Sequence, residues 1–142
     1  MHPIDILLVE DNEGDILLTK EALLDHEMVN NIFVVKDGTE ALNYLLKRDP
    51  YNNSPSPDLV LLDINLPKLN GHEVLKQIRS IDSLKQIPVV MLSTSSSSED
   101  VLKSFNNEAN CFITKPIDID SFIREITSIE NLKISSEHLL KS

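Results

Sequence analysis

Five short, almost wholly apolar runs, alternating with stretches whose apolar residues recur at helical spacing, constrain this chain more than any other feature. The first, Ile4-Asp5-Ile6-Leu7-Leu8-Val9, carries a single charge, and residues 31–35, 58–62, 88–92 and 111–113 are similar. Strands this apolar on both faces need cover on both faces, as in a parallel sheet. Between them, Ile16, Leu17, Leu23 and Leu24 mark a first helix expected to reach Asp25 or His26. Asp37, with Glu40 three residues on, has the pattern of a capping box opening a second helix through Ala41, Leu42, Leu45 and Leu46. A third helix starts near Gly71 and carries Val74, Leu75 and Ile78; Val101, Leu102 and Phe105 mark a fourth. Ile119, Phe122, Ile123, Ile126 and Ile129 give the last helix its clear period. Residues 48–57 hold three prolines, small polar residues and little to bury, so they read as an exposed loop.

Parallel neighbours require crossover connections, which are right-handed, so five strands alternating with five helices predict a doubly wound α/β fold. Residues 1–131 form its one expected domain, and residues 132–142 a weakly patterned tail. Sheets of this kind bind ligands beyond the carboxyl ends of their strands. The residues leaving strands at that rim are Glu10, Asp11, Asp63, Ser93 and Lys115, whereas Asp5 and Asp58 fall elsewhere. Three carboxylates gathered in a partly buried place repel one another, and a hard divalent cation such as Mg²⁺ is the usual remedy. The same set suits phosphoryl transfer, which needs positioning and charge more than covalent chemistry. Asp63 can attack phosphorus, Lys115 can neutralise an equatorial oxygen and Ser93 can hydrogen-bond another. Each residue alone has a plainer use: Asp63 as a strand-ending turn, Glu10-Asp11-Asn12 as a helix cap, Lys115 as a solvated lysine. The joint placement carries the argument.

Composition narrows the partners. Thirteen Lys and Arg against twenty-three Asp and Glu leave a net charge of −10, which repels a phosphate backbone and argues against nucleic-acid binding. The one cysteine, Cys111, cannot form an intramolecular disulfide and reads as a small core residue. His2, His26, His72 and His138 are too scattered to make a metal site. No leader-like segment opens the chain and no apolar run approaches the length of a membrane span, so a cytoplasmic location is expected.

With these residues in place, the chain resembles the receiver domain of response regulators over residues 4–131. The resemblance lies in the apolar run ending at Glu10-Asp11, in Leu61-Leu62-Asp63-Ile64-Asn65-Leu66-Pro67 with Asn70-Gly71, in Ser93-Thr94, and in Lys115-Pro116. It implies a five-stranded (βα)5 flavodoxin-like fold, with Asp63 as phosphoacceptor from a sensor histidine kinase. It also implies Mg²⁺ held by Asp11, Asp63 and the main-chain carbonyl of Asn65, with Glu10 in support. Glu10 replaces a frequent aspartate, so its longer arm is expected to act through water. Ser93 and Phe112 would form a switch pair that remodels the surface of the fourth helix, fifth strand and fifth helix, a two-state element biased by local charge. A cis bond is implied at Lys115-Pro116. Glu108 and Asn110 depart from the glycine-containing turn common before the fifth strand. The 48–57 loop and the acidic segment 10–15 are similar to those of small single-domain regulators paired with bacterial phytochromes, which form homodimers through the switch surface. The reading is thus of a phosphoacceptor that assists its own phosphorylation and dephosphorylation, not of an enzyme with a separate substrate. Its output would be a downstream protein or a histidine phosphotransfer protein.

Three other functions share parts of this pattern. A flavodoxin-like electron carrier needs a hydroxyl- and glycine-rich loop after the first strand, and here that loop is acidic. A haloacid-dehalogenase-type phosphatase needs a second aspartate two residues after its nucleophile, where Asn65 stands. A pseudo-receiver, a binding module independent of phosphorylation, has no need to keep Asp11, Asp63, Ser93 and Lys115 together.

Overall fold

The computed structural model describes residues 3–129. The strands are β1 (Ile4–Val9), β2 (Val29–Val35), β3 (Leu59–Asp63), β4 (Val89–Ser93) and β5 (Cys111–Thr114), all parallel in the order β2-β1-β3-β4-β5. The helices α1 (Glu13–Leu23), α2 (Gly38–Leu45), α3 (Gly71–Ser80), α4 (Ser98–Asn106) and α5 (Ile119–Ile126) connect them. This is the doubly wound flavodoxin-like order, and its chain reversal lies between β1 and β3.

Alternate residues of the central strands feed two cores. Ile6, Leu8, Leu59, Leu61, Val90 and Leu92 pack on one face with Leu23, Phe122 and Ile126. Leu7, Val9, Val60, Leu62, Val89 and Met91 pack on the other with Ala41, Val74, Leu75 and Ile78. Cys111 is buried in the first core, and burial there pushes its thiol up to about 11.

Several local expectations are corrected. Helix α1 stops at Leu23, because the chain turns: His26 N–H bonds to the Leu23 carbonyl and His26 Nδ1 accepts from Met28 N–H. Strand β2 begins at Val29, two residues early, and α2 and α5 end at Leu45 and Ile126. Ile129, beyond α5, is still buried. Asp37 does cap α2, accepting from Glu40 N–H at 2.8 Å, but the Glu40 carboxylate accepts the Tyr51 hydroxyl instead of closing a box. The reciprocal box forms at Asn70 and Glu73, opening α3. The 48–57 loop is not merely exposed: the Tyr51 ring packs tilted against that of Tyr44, whose hydroxyl donates to the Pro55 carbonyl at 3.1 Å. The tail after residue 129 lies outside the described residues.

The turn before β5 is resolved by a left-handed residue that is not glycine. Glu108 has φ of 68°, and its carbonyl accepts from Arg79 Nε at 3.0 Å. Arg79 also donates to the carbonyls of Lys85 and Ile87 and to Asn110 Oδ1, so one guanidinium secures several loop segments.

Candidate functional site

Parallel pairing brings the ends of β1, β3 and β4 to one rim. Val9 pairs with Leu62 and Asp63 with Leu92, so Glu10 and Asp11 leave β1 beside Asp63, and Ser93 follows on the next strand. Gly71 makes part of this possible. A Cβ there would lie 2.3 Å from the Asp63 carbonyl oxygen, so only glycine lets the start of α3 close against the acid. Gly71 N–H donates to the Ile64 carbonyl at 2.8 Å and holds that closure.

Ligand oxygens of Glu10, Asp11 and Asp63 all lie within 4.8 Å of one another. Glu10 and Asp63 are buried while Asp11 is exposed. Lys115 reaches in from the end of β5, where a cis bond to Pro116 follows. Its Nζ bonds to Glu10 Oε1 and lies 3.1 Å from Asp15 Oδ2 and 3.4 Å from Asp63 Oδ2. The main chain reinforces the placement, since Lys115 N–H donates to the Ser93 carbonyl at 2.8 Å. Burial pushes the Asp63 carboxyl up to about 7, and the hydrogen bond and negative charge of Glu10 add to it, against the pull of Lys115 and Asn65 N–H. Burial by itself would lower Lys115, but its bonds to Glu10 and Asp15 and the charge of Asp63 outweigh that, so its ammonium is held more firmly charged.

The structure therefore brings Glu10, Asp11, Asp63 and Lys115 into one cluster. Asn65 is exposed beside it and donates its N–H to Asp63 Oδ1 at 3.3 Å. Ser93 is buried, and its Oγ accepts from Ser95 N–H at 3.1 Å. Phe112 sits half-buried on β5 opposite Met91 and packs on the α2–α3 core. Asp15 was not singled out from the sequence: with Glu13 it is one of two acids in the first turn of α1, where negative charge looks like ordinary dipole complementation. His72, set aside as without chemistry, is buried, with Nε2 3.3 Å from Asp100 Oδ1, linking the start of α3 to α4.

The family model for the response regulator receiver domain matches residues 6–127. The chain belongs to the response regulator receiver family. This receiver is 41% identical over 133 residues to the response regulator Rcp1 of Synechocystis sp., covering 91% of this chain and 88% of that one. The crystal structure of the phosphorylated cyanobacterial phytochrome response regulator RcpA is 42% identical with a TM-score of 0.77, covering 94% of this chain and 96% of that one. The Mn²⁺-bound form of Rcp1 is 40% identical with a TM-score of 0.75, covering 90% and 92%. As a receiver, the chain is a phosphoacceptor module of two-component signalling whose partner is a histidine kinase.

Receiver domains bind a divalent metal, and the donor set here fits one: oxygen ligands only, with like charges close enough to need a cation. Among the described residues no helix is long and apolar enough to cross a membrane.

Proposed function

We propose that this receiver takes its phosphoryl group on Asp63 from the phosphohistidine of a sensor kinase, in the presence of Mg²⁺. The observation that supports this most is the meeting of Asp63 with Glu10, Asp11 and Lys115 at one strand edge. An Asp63 oxygen attacks phosphorus, the P–N bond to the donor imidazole breaks, and the imidazole leaves with the electron pair and is protonated. Lys115 neutralises one equatorial oxygen and Ser93 donates its hydroxyl proton to another. Asp11, Asp63 and the Asn65 carbonyl would hold Mg²⁺, with Glu10 in support through water, and the ion would supply charge neutralisation to the transferring group. In this way the chain assists its own phosphorylation and, with water as nucleophile, its dephosphorylation.

Readout runs through Ser93 and Phe112 to the surface of α4, β5 and α5. On α4 Leu102 is 61% exposed and Phe105 47%, which supports a homodimer through that surface; sedimentation of a monomer at high concentration, with and without a phosphoryl mimic, would remove it. The names of the similar proteins favour a phytochrome-type kinase. A cytoplasmic location, with a downstream protein or histidine phosphotransfer protein as the output, completes the reading. Incubation with acetyl phosphate and Mg²⁺, followed by intact mass, tests the central step: wild type gains one phosphoryl group and Asp63→Asn gains none. Labelled Asp63→Asn would place the acceptor elsewhere. Wild type left unmodified by acetyl phosphate and by every kinase tried would make the chain a pseudo-receiver.

A further inference from the structure

Lys115 is surrounded. Its ammonium has three N–H donors and faces three carboxylates, those of Glu10, Asp15 and Asp63. A phosphoryl group on Asp63 can claim this ammonium only if one holder releases it. Glu10 is a poor candidate, because it is 1% exposed and a buried carboxylate stripped of its counter-ion is costly. Asp15 is different. Its side chain is 33% exposed, and it stands third in α1, after the Asn12 cap and Glu13 and Gly14, where unpaired N–H groups and the helix dipole favour negative charge. It also lines a recess of about 250 Å³ with Leu18, Thr94 and Pro116, which gives the carboxylate room to turn away.

We infer that Asp15 is a positioning residue that competes with the phosphoryl group for Lys115, holding the ammonium toward α1 in the unmodified protein and yielding it when Asp63 is modified. The inference rests on the reading of Asp63 as phosphoacceptor. Asp15 touches neither phosphorus nor the phosphorylated oxygen; it sets how much of the lysine's attachment must be given up. Glu13 provides an internal control: it lies in the same helical turn and carries the same charge, but it pairs with Lys36.

The test is titration of the full chain, with saturating Mg²⁺, by the phosphoryl mimic beryllofluoride, followed by ¹H–¹⁵N NMR. Asp15→Asn should bind the mimic about two- to five-fold more tightly than wild type, the range expected from loss of one partly exposed ion pair. Asp15→Glu should restore wild-type affinity, and Glu13→Gln should leave it unchanged. Equal or weaker binding by Asp15→Asn would overturn the inference, as would an equal gain in Glu13→Gln, which would mean general charge repulsion. A wild type that shows no beryllofluoride response at all would instead sink the assignment of Asp63.

Discussion

At the amino end of the sheet Asp5 and Asp58 lie side by side on neighbouring chain segments, much as Glu10 and Asp63 do at the carboxyl end. There the resemblance stops. Asp58 Oδ2 accepts from Asp5 N–H at 2.9 Å, Asp58 N–H donates to the Asp5 carbonyl, and Asp5 Oδ1 accepts from the Asn30 and Asn31 side chains. Arg79 and Asn110 complete that end, with Asn110 Oδ1 also accepting from Val89 N–H at 2.8 Å. Each charge at this end is met by donors or acceptors already in place. At the carboxyl end Glu10, Asp15 and Asp63 share one ammonium, and Asp11 stands beside Glu10 and Asp63. The contrast separates acids that hold a fold together from acids kept short of positive charge so that an incoming ion has something to complete.

The largest effect should separate the two ends outright. Asp63→Asn should abolish labelling by acetyl phosphate, whereas Asp58→Asn should label at the wild-type rate; equal losses in both would erase the distinction. Lys115→Ala should slow labelling by about 100-fold, the scale of losing one aligned charge at a transition state, read from initial rates at saturating Mg²⁺. At the opposite end Arg79→Ala should destabilise the fold by about 1–2 kcal/mol in urea unfolding, because it removes four hydrogen bonds that tie loop segments together, the one to the Ile87 carbonyl part-buried, while the rate of labelling of the folded fraction stays near wild type.

A smaller effect concerns pH. Folded Asp63 keeps its proton up to about 7, while the unfolded chain releases it near 3.8. Across that window the folded state binds more protons, so metal-free stability should fall as pH rises, by on the order of 2 kcal/mol once screening at the open rim is allowed for. Urea midpoints across this range should show the slope in wild type and lose it in Asp63→Asn. Smallest of all, Glu108→Gly should stabilise by about 0.5 kcal/mol, by relieving the left-handed backbone that Arg79 now holds.

Much of the fold was legible because apolar periodicity and strand length are local properties. The five strands, the cap at Asp37 and the start of α3 at Gly71 follow from short windows. What escaped depends on distant partners. Glu40 fits a capping box on spacing alone, yet a tyrosine eleven residues on takes its carboxylate. Asp15 meets Lys115 across 100 residues, and no pattern around either announces the other. Helix α4 shows a third kind of limit. Periodicity aligns Val101, Leu102 and Phe105, but it cannot say whether anything covers them, and Leu102 and Phe105 face solvent while the wholly buried residue is Ser104. The site was readable in its strand-end members because a parallel sheet sends all its carboxyl ends one way; the contribution of α1 was not.

The buried Cys111 leaves the surface chemically silent toward thiol reagents. Its Sγ points at the Glu125 carbonyl, and the thiolate is scarce at neutral pH. A cysteine introduced at exposed Asn53 or Leu102 would be the one group a maleimide dye finds, so probes of the loop and of α4 can be attached to otherwise native protein.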